Sequence, residues 1–311
     1  MRLAGALALT RTEHTSRGVG LWYELDDADT PHSTALETRG MPSSSKLPEP
    51  EGWATRIDTK ITVSLIVVLF FGCVCLLSGY GFVNIGKPIA TKYALLFAAL
   101  FFLSALFGFL TRVSRSHNAK GLSLGSHEGR PALIIRYSLA GFVVISLLIA
   151  CMAAIFVCGL FDAVSAGNGV LAAVLGLIGA FFLSYFVQIL LGQRRRGYLV
   201  LSDRGVLQRG MAFSSFLPWE AFGGVSAAYN GRPEVLVLAY QNARWTNARS
   251  AACGVSTSCR PVPMIEIDLI HFTVDANLMY HLIRFYVDNP AARAELGTQA
   301  CLDRARAAAY L

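Results

Sequence analysis

Gln193-Arg194-Arg195-Arg196 marks the point at which the chain changes character. Before this run lie four long apolar stretches, and after it come short segments of alternating hydrophobicity followed by a helix-like pattern. Basic residues directly after an apolar span are typical of the cytoplasmic end of a transmembrane helix. The triple arginine therefore predicts the boundary between a membrane half and a water-soluble half.

The composition also favours a membrane protein. Of the 311 residues, 54% are hydrophobic and 15% are charged, with a mean hydropathy of +0.49, whereas soluble domains carry about 25% charged residues. The shortage of charge is concentrated between residues 61 and 191. Much of the formal charge of +7 lies beside the apolar stretches, where the positive-inside rule accounts for it, so we expect no nucleic-acid partner.

Four segments within a membrane domain at 58–192 are long enough to cross the bilayer, which takes about 20 apolar residues. They are residues 61–83, 93–110, 137–161 and 170–191. None has Asp, Glu, Lys, Arg or His in its interior, and apolar segments of this length span membranes as helices.

The charges of the connecting loops predict the orientation. The loop 111–132 contains four basic residues other than histidine, namely Arg112, Arg115, Lys120 and Arg130. With an even number of spans, this basic middle loop places both termini in the cytoplasm. Only Lys87 and Lys92, in the loop 84–92, argue weakly against this orientation.

The third and fourth spans each carry small residues four positions apart, which predicts close helix packing or a dimer contact. We favour packing within one chain. These residues are Ser146, Ala150, Ala154, Cys158, Ala172, Gly176, Ala180 and Ser184.

Residues 1–57 are polar and lack hydrophobic periodicity, which predicts a disordered cytoplasmic segment. Met41-Pro-Ser-Ser-Ser-Lys leads directly into the first span. Translation from Met41 is therefore an alternative to translation from Met1.

The soluble half, residues 193–297, is predicted to be mainly β. Tyr198–Ser202 and Val206–Arg209 flank a short turn and predict a hairpin. Further strands are predicted up to Met264–Ile270, which alternates cleanly between apolar and acidic residues. Asp275 to Asp288 then repeats at helical spacing, with Asp275 as the N-cap and Pro290 as the stop. We expect five to seven antiparallel strands closed by this helix, followed by a tail at 298–311.

The run Gly197-Tyr-Leu-Val-Leu-Ser-Asp-Arg-Gly205-Val, with Leu217-Pro218-Trp219-Glu220 downstream, resembles the bacterial pleckstrin-homology-like (PH-like) domains. The segment from His281 to Gly297 is similar to the tail of multi-pass membrane proteins that carry such domains. The resemblance implies a domain of two near-orthogonal sheets capped by a helix. It also implies that the whole protein is located in the bacterial inner membrane. It further implies that the domain binds lipid headgroups, peptides or other copies of the same protein, rather than catalysing a reaction. The first hairpin loop, Asp203-Arg204-Gly205, lacks the long basic insertion with which some eukaryotic relatives hold phosphoinositides.

Five arginines are candidates for contact with anionic lipid: Arg194, Arg195, Arg196, Arg204 and Arg209. For Arg194–Arg196 we favour the simpler interpretation of an anchor that stops translocation. Trp219 is expected in the core, with Glu220 capping a turn, and His281 on a helix surface. No catalytic, cofactor-binding or metal-binding residues are identifiable, and Cys253 and Cys259 match no zinc pattern.

These patterns predict a non-enzymatic membrane protein. Its cytoplasmic module binds anionic lipid headgroups or a protein partner, and no cofactor is expected. The alternative is a channel or transport component regulated by the soluble domain. Polar side chains that converge on one cavity between the spans would favour that alternative.

Overall fold

The computed structural model describes residues 47–53, 59–113, 121–211, 213–241, 246–249 and 264–310. Four of its helices are long and apolar enough to cross a membrane, as predicted. They are α1 (Thr59–Asn84), α2 (Pro88–Val113), α3 (Leu139–Ser165) and α4 (Gly169–Leu190). The predictions at 1–46, the Met1 or Met41 start and the Cys253–Cys259 loop lie outside the described residues.

The four helices pack in chain order, α1 on α2, α2 on α3 and α3 on α4. Among the described residues, α1 and α4 have no substantial contact with each other. The spans thus form an open row, and most of their large apolar side chains remain exposed, as lipid-facing residues are.

In α4, the predicted small residues four positions apart, here called the ladder, contact α3 only at the start of the helix. Ala172 is buried and Gly176 lies against Leu160, whereas Ala180 is exposed. Four residues turn an α-helix about 40° past one full turn, so a strict four-residue ladder rotates away from its neighbour. Gly179, beside Val157, takes the contact position instead.

In α3, the ladder residue Ser146 faces α4, and its hydroxyl lies 3.1 Å from the Tyr185 hydroxyl. The other predicted positions of this ladder, Ala150, Ala154 and Cys158, are half-buried, whereas Ala153 is buried. In each of the two helices, a buried small residue thus lies one position away from the strict four-residue spacing, namely Ala153 in α3 and Gly179 in α4.

The ends of α2 and α3 distant from the β-strands carry an ion pair. Lys92 Nζ lies 2.6 Å from Asp162, and the Tyr93 hydroxyl donates to the same carboxylate at 2.6 Å. α2 begins before the predicted span limit and so includes Lys92, and α3 ends beyond its predicted limit and so includes Asp162. The charge of Lys92 is thereby balanced by a carboxylate within the protein.

The connection between α2 and α3 contains a β-hairpin that the sequence did not predict. Strands β1 (Leu122–His127) and β2 (Arg130–Arg136) pair around Glu128 and Gly129, both of which have positive φ. β2 then pairs along its length with β3 (Tyr198–Ser202), the strand that follows α4. Much of the loop 111–132, which the sequence analysis used to predict the orientation, is therefore paired with the strands that follow α4.

Two antiparallel sheets form this domain. The first has the order β1-β2-β3-β4-β5-β8, and the second β6-β7-β9. The remaining strands are β4 (Gly205–Arg209), β5 (Phe213–Pro218), β6 (Phe222–Tyr229), β7 (Pro233–Ala239), β8 (Thr246–Arg249) and β9 (Met264–Asp268). The predicted hairpin at 198–209 is present almost to the residue.

Helix α5 (Ala276–Asp288) closes the domain as predicted. The Asp275 carboxylate accepts from the Leu278 amide at 3.0 Å and caps the helix. Leu278, Leu282 and Tyr286 are fully buried in one core with residues of both sheets. Apolar side chains from β2, β3, β7 and β9 supply the other side of this core.

The predicted tail is part of the domain. Residues 299–307 form helix α6 (Gln299–Ala307), which packs on β1. Arg304 forms an ion pair with Glu295 at 2.6 Å, and the Tyr286 hydroxyl donates to Glu295 at 2.8 Å. Arg304 holds the pKa of Glu295 below its usual value.

Residues 47–53, here called the strap, lie against the domain, in contrast to the disorder expected for 1–57. Leu47, Pro50 and Trp53 are buried. The Trp53 indole N–H donates to the Glu234 carbonyl at 3.3 Å, and His281 Nε2 lies 2.9 Å from the Pro48 carbonyl. His281 is therefore buried rather than on the helix surface.

Gly297→Ala is expected to destabilise the domain by about 3 kcal/mol. Gly297 has a φ of +82°, and an added Cβ would overlap the backbone of Pro131 and Ala132 in β2. Gly231→Ala is the matched control, because Gly231 has a φ of +72° with open space around it and should cost only about 1 kcal/mol. Denaturant unfolding of the full chain in detergent measures both; equal losses would contradict the close packing at Gly297.

Candidate functional site

Three residues form a row on one face of the first sheet, at its end nearest the spans. Tyr198 of β3 is directly opposite Arg136 of β2 on one side and Arg209 of β4 on the other. Residues in direct register point to the same face, so both arginine side chains leave the sheet on the same face as Tyr198. The Arg209 guanidinium carbon lies 5.9 Å from the centre of that ring. We call Arg136, Tyr198 and Arg209 the basic edge.

The basic edge is close to the membrane because its strands lead directly into spans. β2 ends at Arg136 and α3 begins at Leu139, while α4 ends at Leu190 and β3 begins at Tyr198. The row therefore lies at the level where the helices leave the apolar layer, which is where lipid headgroups lie.

The arginines between α4 and β3 have structural partners. Arg194 donates to the Gln188 side chain at 2.6 Å, and its guanidinium carbon lies 5.2 Å from the Tyr185 ring centre. Arg196 donates to the Tyr137 carbonyl. Burial lowers the pKa of Arg196, and Arg136 lowers it further, although a guanidinium stays protonated. Arg195 is half-buried beside Gly192.

Arg204 lies at the opposite end of the sheet. It pairs with Glu128 at 3.2 Å, and Arg130 pairs with Asp203 at 2.5 Å, so the two hairpin turns are linked by ion pairs. The length of β3, roughly 13 Å, separates these turns from the basic edge. The five predicted lipid contacts thus divide into four residues near the spans and one far from them.

Carboxylate partners divide the described arginines in the same way. Six arginines away from the spans pair with Asp or Glu; these are Arg130, Arg204, Arg232, Arg284, Arg304 and Arg306. Arg136, Arg194, Arg196 and Arg209, all close to the spans, have no carboxylate within ion-pair distance in the described part of the chain. Arg293 is an exception far from the spans, because it donates to the Tyr286 and Val287 carbonyls instead. Arginines without a carboxylate partner are therefore concentrated close to the spans.

Sequence reasoning missed Arg136. Its signal was present, because the apolar run Ala132–Ile135 between Arg130 and Arg136 is typical of a buried strand. The alignment of Arg136 with Arg209 follows only from the pairing of β2, β3 and β4, which local sequence does not specify.

Backbone and ring contacts fix the junction between the domain and α3. The Tyr137 amide donates to the Gly197 carbonyl at 2.9 Å, and the Ser138 amide donates to the His271 carbonyl at 2.6 Å. The Tyr137 ring stacks on His271 at 5.2 Å. A small, largely apolar pocket lies beside this stack, between the ends of α2 and α3 and the domain.

Two further residues singled out in the sequence are Trp219 and Glu220. The Trp219 indole donates to the Ser202 carbonyl at 2.7 Å inside the core, and Arg293 lies above its ring at 4.6 Å. Glu220 is exposed. Among the described residues, no group of three or more His, Cys, Asp or Glu side chains is arranged to hold a metal ion.

Comparison with known proteins adds nothing to this geometry: no protein-family model, curated protein or solved structure matches the chain.

We expect the protein to lose stability between pH 7 and pH 5, in part through His271. Burial lowers the pKa of His271, and Asp268, at 3.7 Å, opposes the shift only partly. The unfolded chain therefore takes up a proton near pH 6.5 that the folded chain does not, so the free energy of unfolding falls as the pH decreases.

Thermal unfolding of the full chain at both pH values measures this loss. His271→Gln should reduce the pH dependence, because its side chain does not titrate. An unchanged pH dependence in that variant would contradict the assignment to His271.

Proposed function

We propose that this protein is a non-enzymatic binding module of a bacterial inner membrane, with its β domain in the cytoplasm and its basic edge in contact with anionic lipid headgroups. The observation that carries the proposal is the division of the arginines. Six arginines far from the spans are paired with carboxylates and Arg293 donates to backbone carbonyls, whereas Arg136 and Arg209 beside the spans have no carboxylate partner among the described residues. A phosphate group of a lipid would balance the positive charge of such a surface.

The placement in the cytoplasm rests on the positive-inside rule. The β1–β2 hairpin and β3 belong to one sheet, so the loop between α2 and α3 and the chain after α4 lie on the same side. That side carries the arginine run, while Lys92 on the opposite side is neutralised by Asp162.

The PH-like assignment is supported by the order of the elements after α4. Seven antiparallel strands in two sheets precede the closing helix α5. The hairpin β1–β2 and the helix α6 are additions to that plan. The short turn at Asp203 and Arg204 is linked to the β1–β2 turn by ion pairs, so its arginine already has a carboxylate partner. We therefore assign the contact with lipid to the basic edge.

Arginine suits this role because its planar fork of N–H groups binds phosphate oxygens bidentately. Each arginine near an anionic surface contributes about 1 kcal/mol, and the attraction weakens with salt. The stacking of Arg209 on Tyr198 holds its guanidinium in place, which reduces the entropy lost on binding.

No specific observation favours the channel alternative. The polar contacts found between spans are separate from one another: Ser146 with Tyr185, Cys151 with the Leu96 carbonyl, and Lys92 with Asp162. They do not converge on one cavity in the part of the chain that the structure describes.

The double variant Arg136→Gln/Arg209→Gln is expected to weaken retention of anionic lipid by more than about tenfold, from about 1 kcal/mol for each arginine. The full chain is reconstituted with phosphatidylcholine and phosphatidylglycerol in equal parts. Native mass spectrometry then counts the phosphatidylglycerol that remains bound across a salt series.

Arg130→Gln/Arg204→Gln is the matched control, since it removes the same charge from the end of the sheet away from the spans. Its exposed ion pairs contribute little to stability. Equal losses in the two double variants would contradict a defined headgroup surface. Absence of phosphatidylglycerol retention by the unmodified chain would point to a protein partner instead.

A further inference from the structure

The strap has the properties of a bound linear motif. Every third residue, Leu47, Pro50 and Trp53, is buried, while the residues between them are exposed. A period of three is the repeat of an extended proline-rich segment, in which one side faces the binding surface. The Trp53 amide donates to the Pro50 carbonyl at 3.3 Å, so the motif ends in a tight turn that presents the indole.

The groove that holds the strap is built from three elements. Tyr280 of α5 meets the Trp53 ring edge-on at 5.9 Å, and His281 of α5 contacts the Pro48 carbonyl. β7 accepts the indole hydrogen bond through the Glu234 carbonyl. At the edge strand β6, the Ala227 carbonyl lies close to Gly52, where a Cβ would come within 3.2 Å of it.

These walls are complete without the strap. β7 is paired on both sides, with β6 and with β9, and α5 packs on β6. The strap comes from a distant part of the sequence and forms no strand in either sheet. Leu47 and Trp53 pack onto the apolar cluster of the domain, so release of the strap would open a groove with a partly apolar floor.

Charge and proline content match this type of recognition. Pro48 and Pro50 fix two backbone φ angles, so little conformational entropy is lost when the segment docks. Glu49 and Glu51 point outward and keep the free segment soluble. Gly52 has a φ of +102°, which the turn requires and other residues rarely adopt.

We propose that the groove between β6 and α5 is a docking site for a short proline-containing peptide with an aromatic anchor, and that the strap occupies it as an exchangeable intramolecular ligand. The ligand class is the one the strap itself defines: an apolar residue, a proline three positions later and a tryptophan three positions after that. Exchange of this ligand is independent of the basic edge, which lies on the first sheet.

Hydrogen exchange on the unmodified full chain in detergent provides the first test. The probe is a synthetic peptide with the sequence of residues 46–54, and the control peptide has alanine in place of tryptophan. Excess probe should accelerate exchange of the strap amides by about tenfold while the amides of β7 remain unchanged. The control peptide should have no effect. Strap amides that respond to neither peptide, or that exchange only as slowly as β7, would overturn the proposal.

Direct binding provides the second test. A fluorescent form of the probe should bind the full-chain variant Trp53→Ala at least about tenfold more tightly than the unmodified chain, because the groove is vacated. Glu49→Ala is the matched control, since Glu49 lies in the strap but is exposed, and should behave as the unmodified chain. Equal binding to all three chains, or none to a Trp53→Ala chain with unchanged β7 protection, would overturn the proposal.

Discussion

The backbone pairing of β2 with β3 is the interaction on which the rest of the structure depends. α3 and α4 are antiparallel neighbours, and the strands that adjoin them at one end, β2 and β3, are also antiparallel neighbours. The two helices and the two strands thus form one long hairpin that runs from the membrane into the domain. Because hydrogen bonds of the ladder and the contacts of Tyr137 with Gly197 and Phe272 fix its corner, the domain has little freedom to rotate relative to the spans.

This constraint explains why the arginines near the spans occupy two kinds of position, the corner between α4 and β3 and the face of the first sheet. A chain that leaves a span and enters a strand at once has few residues in which to satisfy its backbone groups. Arg196 meets part of that need by donating to the Tyr137 carbonyl, and Arg194 turns back onto Gln188 and Tyr185. These arginines stabilise the corner. Arg136 and Arg209 lie on the sheet face instead, where strand register rather than chain direction sets their position.

The sequence patterns correctly predicted those elements that depend on interactions between residues close together in the chain. The β3–β4 hairpin, the Asp275 cap and the amphipathic α5 each lie within a short window of sequence, and all three are present. The start of the second span and the end of the third lie further out than predicted, because Lys92 and Asp162 neutralise each other there, which hydropathy alone does not detect. The β1–β2 hairpin was missed because the basic residues around it were read only as an orientation signal. The strap was missed because a polar, proline-rich composition predicts disorder, whereas three anchors separated by two residues each suffice to hold it.

The composite origin of the β domain has a consequence for any activity it has. Residues 193–311 alone would leave β3 with an unpaired edge and would remove Leu133 and Ile135 from the core, although both are fully buried. An exposed edge of this kind pairs readily with other chains, and the loss of large core side chains costs several kcal/mol. The domain is therefore complete only when α2 and α3 deliver β1 and β2 to it. A surface built in this way is held permanently beside the spans, so any ligand that it binds must be present there or be brought there by another protein.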